Sequence, residues 1–220
     1  MWKVFIIVSL FMITGGVMAA DAVNVTGNQA IYSADGKQAE FSGNVVVSAG
    51  GVTVYADKLA ITVGESGNHY VAEGAPVRVG CADCGQVLLS IMVRRLQLDD
   101  GANVLSASGG ITICAGENCV QGNLVADSGN WSRGEQRAQF MGAPVRGKWL
   151  QDDEKIPTTI RARQVDYDIV GGDIAMRGGA LLARDGNDIR SEFIHFNIKN
   201  GELRADGGDG RVRATFGGDE

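Results

Sequence analysis

The chain has 220 residues, a formal net charge of −6, and 32 glycines against 3 prolines. The acidic balance argues against a nucleic-acid partner, which requires a basic stripe on the protein surface. Abundant glycine with little proline is typical of many short strands joined by tight turns. These features favour an all-β protein that binds no nucleic acid.

Residues 1–20 have the features of a secretory signal peptide. Lys3 precedes an apolar run from Val4 to Ile13, and Val17-Met18-Ala19 forms a small-residue cleavage site. The apolar run is shorter than the ~20 residues of a membrane span, so we expect cleavage, with an uncleaved anchor as the alternative. The rest predicts a single β-domain over 21–216 and a frayed tail at 217–220.

Short segments with a glycine between two strand-like stretches recur at intervals of 29 to 36 residues, as in stacked repeat proteins. The string GAPVR occurs twice, at 74–78 and 142–146. One such unit cannot bury its own apolar side, so stacked units should share a continuous apolar interior. The recurring glycines are Gly43, Gly74, Gly109, Gly142, Gly178 and Gly207.

A second pattern lies between these glycines and alternates like a strand, except for one extra residue. Its first copy is an apolar row of Val54, Ala56, Leu59 and Ile61. Strand side chains alternate between faces, so the three-residue step keeps the row on one face only if a β-bulge absorbs a residue. We therefore predict a bulge at the same place in each repeat. Further copies begin at Ile91, Ile160 and Ile189, and a weaker one runs through Val120, Gly122 and Val125.

Four cysteines occur as two pairs, Cys81 with Cys84 and Cys114 with Cys119. In an exported protein they are disulfide candidates, and sequence alone leaves all three pairings open. A four-thiolate zinc site is the alternative.

The stretch "EFSGNVVVSAGGVTVYADKLAIT" resembles the OstA-type repeat of the LptA family of periplasmic lipopolysaccharide-transport proteins. "YVAEGAPVRV" and the segment from "ARQVDYDIV" to "SEFIHFNI" are similar to further repeats of that family. The resemblance covers 23–80 and about 158–216, whereas 81–157 reads as divergent or extra repeats. It implies an OstA-like fold of stacked β-repeats forming an open, twisted β-jelly roll.

The resemblance implies a periplasmic carrier that holds lipopolysaccharide acyl chains in an apolar trough and passes the lipid from the inner to the outer membrane. It implies three kinds of partner: an inner-membrane LptC-like subunit, an outer-membrane LptD-like subunit, and further copies joined head to tail. The edges to test for self-association are Val23–Ile31 and Arg211–Phe216. The alternatives are an LptC-like anchored subunit, a β-repeat structural protein with no ligand, and a carbohydrate-active enzyme on a β-solenoid.

Alternation places a set of apolar residues on the inner face as candidate lipid contacts, with ordinary core packing as the alternative for each. The candidates are Val23, Val25, Tyr32, Phe41, Val45, Val47, Val52, Val54, Leu59, Ile61, Val77, Val79, Val165, Tyr167, Ile169, Ile194 and Phe196.

Basic residues could meet lipid phosphates, but they interleave with acids and alternation places most of them outside, which favours a solvated face. They are Arg78, Arg94, Arg95, Arg146, Lys148, Arg161 and Arg163. His69 and His195 have no acid or cysteine at ligand spacing in the sequence, and no G-x-S-x-G, HExxH or P-loop motif occurs. We therefore expect no enzyme activity, no metal and no cofactor.

Overall fold

The computed structural model describes residues 23–49, 52–81, 89–116, 119–132, 134–150 and 156–216. Within these ranges one sheet contains fourteen strands. The predicted signal peptide and the tail at 217–220 lie outside the described residues. The strands are β1 (Asn24–Thr26), β2 (Gln29–Tyr32), β3 (Gln38–Ala49), β4 (Val52–Gly64), β5 (Gly67–Cys81), β6 (Leu89–Asp99), β7 (Val104–Ala115), β8 (Gly122–Ser132), β9 (Arg137–Trp149), β10 (Thr158–Asp168), β11 (Asp173–Arg184), β12 (Asn187–Asn197), β13 (Leu203–Asp206) and β14 (Arg213–Thr215).

Consecutive strands from β3 to β12 pair antiparallel, so that the sheet is a long meander. β1 and β2 both pair with β3, one after the other along its length. β13 and β14 pair with β12 in the same way. The two ends of the meander do not pair with each other, and the predicted open, all-β jelly-roll class is confirmed.

Each strand from β3 to β12 carries an irregularity in its pairing, and these irregularities line up across the sheet. The register shifts between Tyr55 and Lys58 where β4 pairs with β5. It shifts again between Ser108 and Ile111 where β7 pairs with β8, in the divergent middle of the chain. The bulge predicted at the same place in each repeat is therefore confirmed. We call this line of bulges the crease.

Both copies of GAPVR lie at the crease, at equivalent places in β5 and β9. In each copy the alanine N–H donates a hydrogen bond to an exposed aspartate on the preceding strand. Ala75 donates to Asp57 Oδ2 over 3.1 Å, and Ala143 donates to Asp127 Oδ2 over 3.0 Å. The following Ala–Pro peptide bond is cis in both. The repeat in the sequence is thus also a repeat of backbone hydrogen bonding.

The weaker apolar row predicted through Val120, Gly122 and Val125 is wrong. Val120 and Val125 are 70% and 41% exposed, and only Gly122 faces the interior. The valines suggested the wrong register because the true row of β8 uses alanine and glycine beside the crease. That inner row consists of Leu124, Ala126, Gly129 and Trp131.

The crease divides the sheet into two wings. The β1 wing contains β1, β14 and the strand halves on their side of the crease, such as Val45–Ala49 of β3. The β2 wing contains β2, β13 and the other halves, such as Gln38–Ser42. Burial is deepest beside the crease, where Val77, Ile111 and Val145 are 0% exposed. Such burial on a single bent sheet means that the inner faces of the wings cover each other, as in β-sandwiches.

A disulfide joins Cys114 at the end of β7 to Cys119 in the following turn, with the two Cα atoms 4.6 Å apart. Oxidised cysteines cannot serve as zinc thiolates, so the four-cysteine zinc site is excluded. Cys84 and the side chain of Cys81 lie outside the described residues. Among the described residues, no group of three or more histidine, cysteine or acidic side chains is placed to hold a metal ion.

Candidate lipid-binding trough

The inner faces of the two wings form one apolar cluster that runs from β3 to β12. Fully buried residues form a packed floor, which lies beside the crease and, in the middle of the sheet, extends to the strand ends, where Ala115 and Ala138 are 1% and 2% exposed. Partly buried residues nearer other strand ends form two rims. The rim residues are Val25, Ala39, Val47, Val52, Val54, Ile61, Tyr70, Leu98, Leu124, Trp149, Ile169, Leu182, Ile189, Phe196, Ile198 and Ala205.

The candidate contacts divide between the floor, the rims and one open end. Those in the floor are Phe41, Val45, Leu59, Val77, Val79, Val165, Tyr167 and Ile194. Those in the rims are Val25, Val47, Val52, Val54, Ile61, Ile169 and Phe196. Val23 and Tyr32 are 52% and 65% exposed, because they lie where the sheet begins and no further strand covers them.

Several rim residues were not among the predicted contacts, including Tyr70, Leu98, Leu124 and Trp149. Leu98 belongs to an apolar row that the bulge pattern did identify, so the signal was present. Leu124 was missed with the wrong register of β8. Trp149 ends β9 within the segment where the family motifs are absent.

Aromatic rings strengthen the interior at two places. Tyr32 and Phe41 meet edge to face at the N-terminal end, with ring centroids 5.9 Å apart. Trp131 and Phe140 make the same arrangement in the middle of the sheet, at 5.3 Å. Edge-to-face pairs contribute ~0.5–1.5 kcal/mol beyond the area they bury. Tyr32 nevertheless remains exposed at the N-terminal end of the trough.

Burial also changes the acid–base chemistry of the floor. Removal of Tyr167 from water raises the pKa of its phenol from 10.0 to about 12, and the charge of Asp168 adds to the shift. The tyrosine therefore stays neutral at physiological pH. A neutral, apolar floor is compatible with hydrocarbon and unfavourable for a charged group.

The outer face carries ion pairs that cross from strand to strand. Arg95 pairs with Glu73, and Arg177 pairs with Asp166. All seven basic residues considered as phosphate contacts are exposed on this face, as the alternation predicted. His195 Nε2 lies 3.0 Å from Asp173 Oδ1 on the neighbouring strand, an acid that sequence spacing did not reveal.

No helix in the described part of the chain has the length and apolarity needed to cross a membrane.

The fold and the trough define a class of protein: a repeat β-protein whose bent, open sheet encloses an apolar interior with uncovered ends. The sequence profile described as "LptA/(LptD N-terminal domain) LPS transport protein" matches residues 24–202. The chain therefore belongs to this family of lipopolysaccharide-transport proteins, and the resemblance seen in the repeats is confirmed.

Among solved structures, the chain matches LptH from Pseudomonas aeruginosa, described as the LptA-homologous periplasmic component of the lipopolysaccharide transport device. The match covers 90% of this chain and 96% of LptH at 11% identity, with a TM-score of 0.34. No curated protein matched the chain significantly.

Proposed function

We propose that this protein is a periplasmic carrier that shelters the acyl chains of lipopolysaccharide between the rims of its trough and passes the lipid from the inner toward the outer membrane. Membership of the LptA/LptD N-terminal family supports the lipid class. The observation that carries the proposal is the set of half-buried apolar rim residues on most strands of the sheet. Contiguous apolar surface that stays partly open is typical of a binding site for an apolar ligand.

Such a carrier only has to bury the acyl chains away from water, and this involves no covalent step. Each methylene removed from water contributes ~0.8 kcal/mol, so a bundle of acyl chains has a strong preference for an apolar shelter. Sugars and phosphates stay in solvent because the interior offers them no partners. The protein accordingly needs no catalytic group, and we propose that it is not an enzyme.

The acyl chains lie along the rims and above the floor. Val45, Val77, Ile111 and Val145 are at most 1% exposed, so the floor leaves no surface for a ligand to touch. Floor candidates such as Val45 and Val79 act as packing that holds the wings at a fixed separation. Rim candidates such as Ile61 are the direct contacts.

The uncovered ends support head-to-tail assembly. At the first end Ile31 and Tyr32 are 67% and 65% exposed, and at the other Val212 and Phe216 are 47% and 77% exposed. Unpaired sheet edges invite strand addition, and a contact between unlike ends produces an open filament. Further copies, an LptC-like subunit and an LptD-like subunit are the partners that such edges would accept.

One observation favours the alternative of a β-repeat structural protein without a ligand: the floor is packed as tightly as an ordinary core. That alternative predicts that rim and outer positions behave alike toward lipid. An LptC-like anchored subunit would retain its N-terminal apolar segment. The mass of the purified protein therefore distinguishes an anchored subunit from a cleaved carrier.

Site-specific photo-crosslinking tests the carrier directly. A photoreactive residue at Ile61, on a rim, should capture labelled lipopolysaccharide, because its side chain points into the trough. The same residue at Ala60, its exposed neighbour on the same strand, is the matched control and should capture little. Equal labelling at the two positions, or none at Ile61, would rule out the proposed trough.

A further inference from the structure

Arginines are concentrated on the outer face of the β1 wing near its C-terminal edge. Arg146 of β9 lies directly opposite Arg161 of β10 in the strand register. Arg161 is opposite Leu181 of β11, which is opposite Arg190 of β12. Arg190 is in turn opposite Arg213 of β14. One cross-strand row thus carries four arginines, although the whole chain has a formal net charge of −6.

A fifth arginine, Arg163, lies at the crease beside this row. Arg161, Arg163 and Arg190 line a depression of 540 Å³ together with Gly142, Gly178 and Gly179. A Cβ added to Gly179 would meet nothing within 4 Å, so the space above this glycine is open. The depression is therefore accessible to a small ligand from solvent, and three arginines contribute to its lining.

The acids around the depression already have partners. Asp188 accepts a hydrogen bond from Arg190 Nε over 2.6 Å. Glu192 Oε2 accepts the backbone N–H of Gly179 over 3.2 Å, and Asp127 is held by Ala143 as described above. Within the described part of the chain, Arg146, Arg161 and Arg163 form no ion pair.

Like charges placed directly opposite on neighbouring strands destabilise a sheet. Two unpaired guanidinium groups, those of Arg161 and Arg163, line the open depression, and Arg146 lies opposite Arg161. This arrangement favours an anion at that place. The planar fork of arginine matches the oxygen geometry of phosphate, with two parallel hydrogen bonds per contact. A phosphate group bound here would offset the repulsion between the arginines and also find an open backbone surface beneath it.

We propose that Arg161, Arg163 and Arg190, with Arg146 beside them, form a binding site for a phosphate ester group on the outer face of the β1 wing. The site is separate from the trough, since alternation places these side chains on the opposite face from the rims. It does not depend on the proposed carrier function. The phosphate belongs either to a lipid head group or to a soluble phosphorylated compound.

Pyrophosphate titration by calorimetry tests the site, with the variant Arg161→Gln/Arg163→Gln. Glutamine keeps part of the aliphatic stem, so the surface remains covered while two charges are lost. We expect wild-type protein to bind pyrophosphate and the double variant to bind at least ~10-fold more weakly. The matched control is Arg78→Gln/Arg94→Gln, which removes the same charge from the same face; Arg78 stands opposite Tyr55 and Met92 and not opposite an arginine.

The control variant should retain affinity within about twofold, because no second arginine stands opposite Arg78. An equal loss of pyrophosphate affinity in both variants would mean that only net charge matters, and it would overturn the site. Failure of the wild-type protein to bind pyrophosphate would also overturn it. Circular dichroism confirms that each variant is folded. Crosslinking of lipid from Ile61 should be unchanged in the Arg161→Gln/Arg163→Gln variant, which separates this site from the carrier proposal.

Vesicles then identify the source of the phosphate. If the ligand is a lipid head group, the protein should sediment with phosphatidylglycerol vesicles but not with phosphatidylcholine vesicles. Pyrophosphate should reverse this sedimentation. Binding of pyrophosphate without vesicle binding supports the site with a soluble phosphate ester. The proposed site is contradicted if the protein does not bind pyrophosphate and the Arg161→Gln/Arg163→Gln variant still binds vesicles.

Discussion

The side chain of Arg163 lies across the backbone of Gly178 on the neighbouring strand. A Cβ added to Gly178 would approach the Cβ of Arg163 to 2.8 Å. Arg94 and Gly109 have the same relationship, at 2.7 Å. Both glycines have positive φ angles, +81° and +86°. Glycine at these two positions is therefore required for two reasons: the backbone conformation of the bulge and the arginine stem that lies above it.

Replacement of Gly178 by alanine should lower the free energy of unfolding by ~2–3 kcal/mol. The positive φ costs ~1–2 kcal/mol for any residue with a Cβ, and the clash with the Arg163 stem adds to it. Gly179→Ala is the matched control, because Gly179 has φ +67° but open space around an added Cβ. Urea denaturation should give a loss of only ~1–2 kcal/mol for the control. Equal losses for the two variants would mean that the arginine stem moves aside freely.

The distinction between floor and rim predicts that stability and lipid binding respond to different residues. Ile111→Ala should cost ~3 kcal/mol of stability, because the removed atoms leave a cavity in a fully buried place. Ile61→Ala should cost ~1 kcal/mol, because the residue is already partly exposed. Lipopolysaccharide affinity should nevertheless fall for Ile61→Ala and remain near wild type for folded Ile111→Ala. A larger loss of affinity from the floor variant would contradict this division.

The buried phenol of Tyr167 makes stability fall at alkaline pH. Its folded pKa of about 12 exceeds the ordinary value of 10.0, so the folded state holds the proton more tightly than the unfolded state. Below pH 10 the phenol is protonated in both states, and its full contribution to stability is present. As the pH rises from 10 to about 12, the unfolded state ionises first and stability falls by ~2 kcal/mol. Tyr167→Phe should show a flatter decline over this range in parallel urea titrations, and identical slopes would disprove the assignment.

Head-to-tail assembly predicts concentration-dependent growth that depends on the ends of the sheet. Phe216→Asp should weaken self-association by ~10-fold or more, because it places a charge on the exposed C-terminal end. Val125→Asp is the control, since Val125 is 41% exposed on the outer face of β8, far from both ends. Sedimentation velocity over a range of protein concentrations distinguishes the two. Loss of association in the control as well would indicate contact through the outer face.

Much of the architecture could be predicted from sequence because its signals are local. The extra residue between Ala56 and Leu59 is visible in the chain itself, and the structure places a bulge there. Alternation also assigned the exposed arginines to the outer face correctly. The prediction failed in β8, where alanine and glycine beside the crease carry little hydrophobic signal and Val125 suggested the opposite face.

The remaining features depend on distances that local patterns do not contain. The contact between His195 and Asp173 crosses two strands whose register is set by the bulge between them. The pairing of Cys114 with Cys119 depends on how the turn after β7 folds back. Whether Val79 or Ile61 is open to a ligand depends on the separation of the wings, which is a property of the assembled sheet. The sequence therefore identified the inner face but not the division between floor and rim.

Each end of the meander presents two short strands, β1 with β2 and β13 with β14, one on either side of the crease. A neighbour docked at such an end is held along two separated lines. An attachment of this kind resists swivelling, whereas a single terminal strand would act as a hinge. Successive molecules would then keep their openings on the same side, and a flexible hydrocarbon tail could cross the joint without being turned out into water.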